Sequence, residues 1–512
     1  MPRPAEEVVF AVRCGTLAAT ERLAAGVAAL ARPGDVIALE GDLGAGKTAF
    51  ARALIRALAG DPDLDVPSPT FTLVQTYEEA RPPVAHADLY RLDAPDEVAE
   101  LGLDEAVRDG VLLVEWPEKA GALPEGALLH VRIGIADEDA REMRLEGRGT
   151  WRMRLARLEA IRDFLDRTGW GAARRTRIQG DASTRSYERL QRDDESAILM
   201  NSPAQPDGPP VRDGKPYSRI AHLAESVHAF AAVGRALHEA GFSAPAILAA
   251  DLTNGLLLLE DLGSVGVISE SPRAPIPERY VAAVEVLAAI HHRGWPDALP
   301  LGNSFYAVPP YDLEALLIEA ELLLDWYLPA ETGPAEESER ARFREVWTAC
   351  LAEVLAGPRT LVLRDYHSPN LMWLPERAGV RRVGLLDFQD AVMGSDAYDV
   401  VSLLQDARVD VPPALEESLL AHYLALRAAR DPDFDAAGFR RRYAILGAQR
   451  ATKILGIFRR LERRDRKPQY LAHLPRIIDN LRRCLRHPVC APLARWYGAN
   501  LPHTAGPADA AA

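Results

Sequence analysis

Cysteine is scarce in this sequence. Only 4 occur among 512 residues, no two of them form a CxxC pair, and no histidines stand at zinc-ligand spacing. A disulfide or structural-metal framework is therefore not expected, and a reducing compartment fits better. Long apolar runs are also absent, so we expect no membrane contact. The first residues include Glu6 and Glu7 and lack the apolar run of a signal peptide, which predicts a cytoplasmic protein.

An excess of positive charge is missing as well. The chain has 60 Lys and Arg against 74 Asp and Glu, a net charge of −14, which argues against the whole chain coating a nucleic acid. Hydrophobic residues make up 48% and charged residues 26%, values typical of soluble globular domains rather than disordered chains. The length predicts two to four domains at roughly 100–200 residues each.

A phosphate-binding motif lies near the N-terminus. Residues 41–48 read GDLGAGKT and match GxxxxGK[ST], between an apolar run at residues 35–40 and an Ala/Leu/Arg-rich segment at residues 48–59. This strand, loop and helix context is the one that the motif requires. Its glycines let backbone N–H groups turn toward phosphate oxygens, Lys47 reaches the outer phosphates, and the Thr48 hydroxyl binds Mg²⁺. The predicted ATP ligands are Gly41, Gly44, Ala45, Gly46, Lys47 and Thr48.

More acidic and hydroxyl side chains follow this motif. Thr70 lies in SPTF, Asp88 lies in HADLYR, and Glu115 ends an apolar run predicted as a strand. The carboxyl edge of a parallel sheet is where ligands bind in such folds. Glu115 taken alone would more often be a solvated strand end, but beside a P-loop it becomes a candidate for the Mg²⁺ site.

The chain resembles the TsaE family, the ATPases of bacterial tRNA threonylcarbamoyladenosine modification, in four segments: GDLGAGKT, SPTFTLVQTYE, HADLYRL and VEWPEK. The resemblance covers residues 10–150. It implies a P-loop fold, weak ATP hydrolysis and docking onto a TsaD/TsaB-type transferase complex, so that contact with tRNA is indirect. By motif position, Asp88 and Glu115 would act near Mg²⁺ and the attacking water. Thr70 would belong to a nucleotide-responsive loop, and Trp116 would neighbour the site.

A second phosphate site is predicted in the C-terminal half. Asp365 and Asn370 have the D-x-x-x-x-N spacing of a protein-kinase catalytic loop, and Asp387 ends an apolar strand shortly afterwards. In that chemistry one carboxylate accepts the proton of the acceptor hydroxyl, while an amide oxygen and a second carboxylate hold Mg²⁺. The pattern therefore predicts Asp365 as the catalytic base and Asn370 and Asp387 as metal ligands.

Two further elements would complete an ATP site. Residues 180–185 (GDASTR) lie between predicted strands and would cover the phosphates through groups such as Ser183, although they lack GxGxxG. Glu260 closes an apolar strand and would begin a hinge whose backbone meets the adenine. An ordinary charged turn explains Glu260 equally well.

Residues 172–495 resemble the aminoglycoside phosphotransferase family of kinase-like folds. The likeness lies in GDASTRSYERL, ILMNSPA, LLLEDLG, RDYHSPNLMWL, GLLDFQDAVMGSDAYDV and QRATKILGIFRRL, and is greater toward the anomeric kinases for N-acetylmuramate and N-acetylglucosamine in cell-wall recycling. It implies an ATP- and Mg²⁺-dependent transfer to a small amino sugar. It also implies that Asp399 is a buried brace for the catalytic loop.

One position departs from the general kinase pattern. The third strand should carry a phosphate-binding lysine, but Met200 stands there, and Lys215, Arg185 or Arg219 would have to substitute for it. Without a substitute, the domain would be a pseudokinase that regulates the ATPase. An aminoglycoside or a choline-like alcohol remains an alternative acceptor. The Arg-rich residues 440–486 either bind an anion, such as a sugar carboxylate or tRNA, or are ordinary charged helix faces.

Together these patterns predict an α/β protein. We expect a P-loop ATPase domain at residues 1–160, a linker at 161–175, a kinase-like N-lobe at 176–262 and a mainly helical C-lobe at 263–500.

Overall fold

The computed structural model describes residues 8–92, 97–98, 100–178, 185–204 and 206–505. The chain divides into two compact units, one formed by Met1–Ser202 with Ala249–Asp261 and the other by Pro203–Leu248 with Leu262–Ala512. Helices and strands occur in both, which confirms the predicted α/β class. Within the described ranges, no helix is both long and apolar enough to cross a bilayer.

A seven-stranded sheet lies at the centre of the first unit, in the order β1-β7-β6-β2-β5-β4-β3. The four neighbours β6, β2, β5 and β4 are parallel, and such strands are covered on both faces, which explains the continuous apolar runs in β2 and β5. The strands are β1 (Val8–Cys14), β2 (Asp35–Glu40), β3 (Val74–Tyr77), β4 (Val84–Asp88), β5 (Val111–Glu115), β6 (Ala127–Ile135) and β7 (Arg141–Gly147).

The described part of the same unit contains the α-helices Leu17–Leu30, Lys47–Ala59, Leu103–Asp109 and Trp151–Arg167. The helix after the P-loop begins and ends at glycines, Gly46 and Gly60, both with left-handed backbone. Glycine adopts this conformation without strain, so the sequence fixes both ends of that helix.

A second sheet of the first unit has five strands, in the order β11-β12-β10-β9-β8. Its strands span nearly the same residues as the predicted N-lobe, 176–262, which stays a prediction. Its strands are β8 (Arg174–Ile178), β9 (Ser186–Arg192), β10 (Glu195–Asn201), β11 (Ile247–Asp251) and β12 (Leu256–Glu260). β10 pairs antiparallel with both β9 and β12.

The helix Trp151–Arg167 is shared by the cores of both sheets. Trp151, Leu155 and Leu158 belong to the apolar core of the seven-stranded sheet. Further along the same helix, Phe164 and Leu165 pack with residues of the five-stranded sheet. One helix therefore links the two cores, and it runs through the predicted boundary at residue 160. The division into domains and a linker stays a prediction.

Side-chain hydrogen bonds fasten this helix to both sheets. Arg154 forms a buried two-point ion pair with Asp35 at the start of β2 (2.6 and 2.7 Å). Arg157 donates from Nε to the side-chain oxygen of Asn201 at the end of β10 (2.9 Å). Arg167 reaches Asp251 at the end of β11 (3.2 Å).

The second unit is mainly helical, as the sequence predicts for the C-lobe. Its helices are Tyr217–Ile220, Val227–Glu239, Pro277–His292, Leu313–Ala320, Leu328–Glu331, Glu337–Leu355, Ala397–Leu404, Pro413–Arg430, Ala436–Arg463, Leu474–Leu485, Ala491–Asn500 and Pro502–Ala505. Two short antiparallel strand pairs are important for the second site. They are Arg359–Val362 with Val392–Ser395, and Leu371–Trp373 with Val383–Leu385.

Candidate active sites

The loop after β2 has the backbone of a phosphate cradle. Gly41, Gly44 and Gly46 all have positive φ angles (152°, 79° and 107°), which L-residues rarely adopt. A Cβ atom at Gly41 would lie 2.4 Å from the Ile133 carbonyl oxygen. The motif glycines are therefore required by both conformation and space, and they let the loop backbone turn its N–H groups inward. One of these, the Ala45 N–H, donates to the Asp42 carbonyl oxygen (3.1 Å).

Lys47 is held against this loop. Its ammonium donates to the carbonyl oxygens of Gly41 (2.6 Å) and Asp42 (2.9 Å) and lies 3.5 Å from the centre of the Trp116 ring. Burial lowers the pKa of Lys47, while Glu115 and other nearby carboxylates act in the opposite direction. Trp116 thus lies beside the P-loop lysine, as the resemblance implies.

Thr48 and Glu115 are brought into direct contact. The Thr48 hydroxyl donates to Glu115 Oε2 (3.0 Å), and His86 Nε2 lies 3.0 Å from Glu115 Oε1. Both are buried, Glu115 at the carboxyl end of β5 and His86 in the middle of β4. A hydroxyl and a carboxylate at a phosphate loop are the oxygen donors that Mg²⁺ prefers, so these residues fit a metal bound with nucleotide.

Asp88 lies on the strand next to Glu115, in register with it. Its Oδ2 accepts from the hydroxyls of Thr70 (2.6 Å) and Ser68 (3.0 Å), and its Oδ1 accepts from the backbone N–H of Tyr90 (3.0 Å). The loop carrying Thr70 is therefore tied to the acidic edge of the sheet, which suits the nucleotide-responsive role expected of it.

Sequence reasoning missed three residues of this site. His86 and Ser68 contact the two acidic residues, and Arg141 Nε donates to the Ala45 carbonyl oxygen (2.8 Å), holding the loop from β7. His86 stands two residues before Asp88, on the same face of β4, and that spacing was the available signal. Nothing in the sequence pairs Arg141 with Ala45, because the sheet order brings them together.

The second site is built on a short hairpin. The strands Leu371–Trp373 and Val383–Leu385 pair so that Asn370 and Leu386 are neighbours, with Leu386 N–H donating to the Asn370 carbonyl oxygen (2.9 Å). Asn370 Nδ2 donates to the Asp365 carbonyl oxygen (2.9 Å). Asp387 follows directly, with left-handed backbone (φ 56°). The three predicted residues thus meet at one end of the hairpin.

Asp399 supports the catalytic loop by accepting hydrogen bonds from its backbone. This buried carboxylate accepts the backbone N–H groups of Leu363 (2.6 Å) and Arg364 (2.9 Å). Burial raises the pKa of Asp399 to about 7, against the lowering effect of those two N–H groups. Arg364 has a left-handed backbone (φ 66°), and such conformations persist where surrounding contacts impose them. This geometry agrees with the brace that the resemblance implies.

Cations surround Asp365. Burial would raise its pKa, but His367, Lys453, Arg450 and Arg364 outweigh that effect and lower it, so the carboxylate is kept ionised. Of these groups, Lys453, Arg450 and Arg364 are the cations near pH 7, because burial lowers the pKa of His367 to about 4. His367 Nε2 lies 4.0 Å from Asp365 Oδ1. Sequence reasoning named neither His367 nor Lys453 individually, since Lys453 is far along the chain and came only within the Arg-rich segment.

The other predicted residues are less informative. Ser183 lies outside the described residues. Glu260 ends β12 and is half-buried. Met200 is fully buried on β10, and of its proposed substitutes Arg219 forms a surface ion pair with Asp207 (2.7 Å) while Lys215 is exposed. The roles of all candidate residues stay predictions.

Two families of known proteins match separate parts of the chain. Residues 14–144 match the family described as "Threonylcarbamoyl adenosine biosynthesis protein TsaE", and residues 174–440 match the phosphotransferase enzyme family. An N-acetylmuramate/N-acetylglucosamine kinase of Caulobacter vibrioides is 38% identical over 352 residues, covering 66% of this chain and 95% of the relative. A kinase of the same name from Pseudomonas aeruginosa is 34% identical over 346 residues, covering 66% and 92%.

A tRNA threonylcarbamoyladenosine biosynthesis protein TsaE of Rickettsia felis is 41% identical over 122 residues, covering 24% of this chain and 71% of the relative. This chain belongs to the TsaE and phosphotransferase enzyme families. The TsaE domain contains the Lys47 loop, and the phosphotransferase domain contains Asp365. The chain therefore combines two ATP-using enzymes, an ATPase and a kinase.

Proposed function

We propose that the chain is bifunctional. Its TsaE domain hydrolyses ATP to support threonylcarbamoyladenosine modification of tRNA, docked on a TsaD/TsaB-like transferase complex. Its phosphotransferase domain transfers the γ-phosphate of ATP to the anomeric hydroxyl of N-acetylmuramate or N-acetylglucosamine. Four free, buried cysteines agree with a cytoplasmic setting for both reactions.

The kinase proposal rests on the grouping of Asp365, Asn370 and Asp387 at one hairpin end. The ionised Asp365 carboxylate would accept the proton of the sugar hydroxyl as that oxygen attacks the γ-phosphorus. Asn370 donates through its amide nitrogen, so its amide oxygen is left as an acceptor, and with Asp387 it would hold Mg²⁺. The metal supplies neutralisation of the phosphate charge.

In the TsaE domain, each side chain of the site around the P-loop would have a role in ATP hydrolysis. Lys47 would move from the loop carbonyls to the outer phosphates, and Thr48 with Glu115 would hold Mg²⁺. Asp88, fixed by two hydroxyls, would orient water for attack. Tight hydrogen bonds among these groups support a preorganised site.

The kinase half is tested by sugar-dependent ATP consumption. Purified protein should consume ATP faster with N-acetylmuramate or N-acetylglucosamine, and Asp365→Asn should abolish the gain while Lys47→Ala leaves it in place. A panel that includes an aminoglycoside and choline separates the alternative acceptors. Mg²⁺·ATP binding with no transfer to any acceptor would instead support a pseudokinase, the reading that the buried Met200 favours.

The TsaE half needs a reconstituted system. Added to purified TsaD- and TsaB-like subunits with tRNA, ATP and a preformed activated threonylcarbamoyl donor, the protein should sustain repeated rounds of tRNA modification. Lys47→Ala should stop it, and Asp365→Asn serves as the matched control that should not. Modification that proceeds equally without the protein would refute this half.

A further inference from the structure

The Arg-rich helix Ala436–Arg463 was left with two interpretations, an anion site or an ordinary charged face. For most cations of this helix the structure favours an ordinary charged face, because they are paired with carboxylates of the protein. The pairs are Arg440 with Glu417, Arg441 with Glu353, Arg442 with Asp396, Lys453 with Glu319 and Arg459 with Glu331. Most of the positive charge is therefore already compensated within the protein.

Arg460 is different. Among the described residues no carboxylate forms an ion pair with it, and its buried Nε has no hydrogen-bond partner. Its guanidinium lies 5.8 Å from the centre of the Tyr217 ring. Asp465, whose charge also acts on Arg460, is held by Arg464 through two hydrogen bonds (2.7 and 3.0 Å). Arg460 is thus a half-buried cation that forms no ion pair of its own among the described residues.

A sheltered, uncompensated cation favours an anion beside it, because neither water nor a protein carboxylate fully solvates the charge. Burial lowers the pKa of Arg460, which reports the same deficit. Tyr217 adds a donor. Burial raises its pKa to about 12, so the phenol keeps its proton, and within the described chain its hydroxyl makes no protein hydrogen bond.

The position of Arg460 relates it to Asp365. Lys453 lies seven residues earlier, which is about two turns and the same face of the helix, about 10 Å along the axis. The charge of Lys453 acts on both Asp365 and Tyr217. Lys453 therefore connects the two ends of this region, since Arg460, beside Tyr217, follows it by about two turns on the same helix.

We propose that Arg460, assisted by the Tyr217 hydroxyl, binds the carboxylate of an acidic sugar whose reacting hydroxyl lies at Asp365. The inference rests on the proposed kinase function and adds a specificity determinant to it. N-acetylmuramate carries a lactyl ether carboxylate that N-acetylglucosamine lacks, so only N-acetylmuramate gains this contact. Losing one or two charge-assisted hydrogen bonds should weaken binding about 10- to 100-fold.

The test compares KM and kcat for N-acetylmuramate, N-acetylglucosamine and ATP. In Arg460→Gln we expect KM for N-acetylmuramate to rise about tenfold or more, with kcat and the KM for N-acetylglucosamine changing far less. Tyr217→Phe should show the same pattern more weakly, and Arg460→Lys should restore part of the loss. The matched control is Arg463→Gln, an exposed arginine of the same helix, which should behave as wild type.

Several results would overturn the proposal. Equal losses with both sugars would make Arg460 structural, and a rise in KM for ATP alone would make it a phosphate ligand in place of the lysine missing at Met200. Unchanged kinetics would also refute it, and so would equal affinity of wild type and Arg460→Gln for N-acetylmuramate in calorimetry. If wild type phosphorylates neither sugar, the proposed kinase function itself fails, which is a distinct result.

Discussion

Replacing Phe164 with alanine should loosen both sheets of the first unit. Phe164 is 2% exposed and packs with the five-stranded sheet, while the same helix contributes Leu155 to the core of the seven-stranded sheet. Removing a buried phenylalanine costs about 3–5 kcal/mol, a large share of the roughly 5–15 kcal/mol that holds a domain together. If the shared helix couples the two cores, the free energy of unfolding should fall for both sheets.

The assay is hydrogen–deuterium exchange, read by mass spectrometry on peptides from each sheet. Amides that exchange only on cooperative unfolding should do so about 100-fold faster for a loss of about 3 kcal/mol. In Phe164→Ala we expect this acceleration in β9 and β10 and also in β2 and β5. Leu155→Ala should produce the reciprocal result, faster exchange in the five-stranded sheet.

The control is Met153→Ala on the same helix. Met153 is 75% exposed, so its removal should change exchange in neither sheet. The reasoning is refuted if Phe164→Ala accelerates exchange in β9 and β10 while β2 and β5 keep wild-type rates. The helix would then open in its middle, and the ATPase core would be independent of the kinase lobe.

Two further predictions concern the sites themselves. Burial raises the pKa of Asp399 to about 7, so the folded chain holds this proton more tightly than the unfolded chain. The free energy of unfolding should therefore fall by about 4 kcal/mol as pH rises from about 4 to about 7. In urea titrations across this pH range, Asp399→Asn should remove that part of the pH dependence, and an unchanged pH dependence would contradict the assignment. Gly41→Ala places a methyl group 2.4 Å from the Ile133 carbonyl oxygen at φ 152° and should abolish nucleotide binding by the TsaE domain, whereas Gly15→Ala, with open space around its Cβ and no positive φ, should bind as wild type in calorimetry.

The local parts of the two sites could be predicted from the sequence because each is encoded by contiguous residues. The P-loop glycines set the turn that Lys47 and Thr48 require, whatever the rest of the fold. Asp365 and Asn370 stand five residues apart in one loop, so their proximity does not depend on tertiary packing. Asp387 follows a strand, and its place beside Asn370 needed only the pairing of two neighbouring strands.

The partners of these residues could not be predicted, since they arrive from distant segments. His86 meets Glu115 only because β4 and β5 are parallel and in register. Lys453 is paired with Glu319 (2.7 Å), although more than one hundred residues separate them. Sequence composition showed that residues 440–486 are rich in arginine, but it could not show which arginines have carboxylate partners and which do not.

The shared helix gives a physical account of why these domains occur in one chain without a common substrate. Leu199 and Leu258 of the five-stranded sheet share an apolar core with residues of the helix Trp151–Arg167. Without that helix, the apolar surface that it covers would be exposed to water, and each Å² exposed would cost about 25 cal/mol of stability. The first half of the helix is in turn anchored in the ATPase core by the buried pair of Arg154 and Asp35. A cut between the domains would therefore expose apolar surface on both sides of it. The two sheets share this helix in their apolar cores, and we therefore expect their stabilities to be coupled.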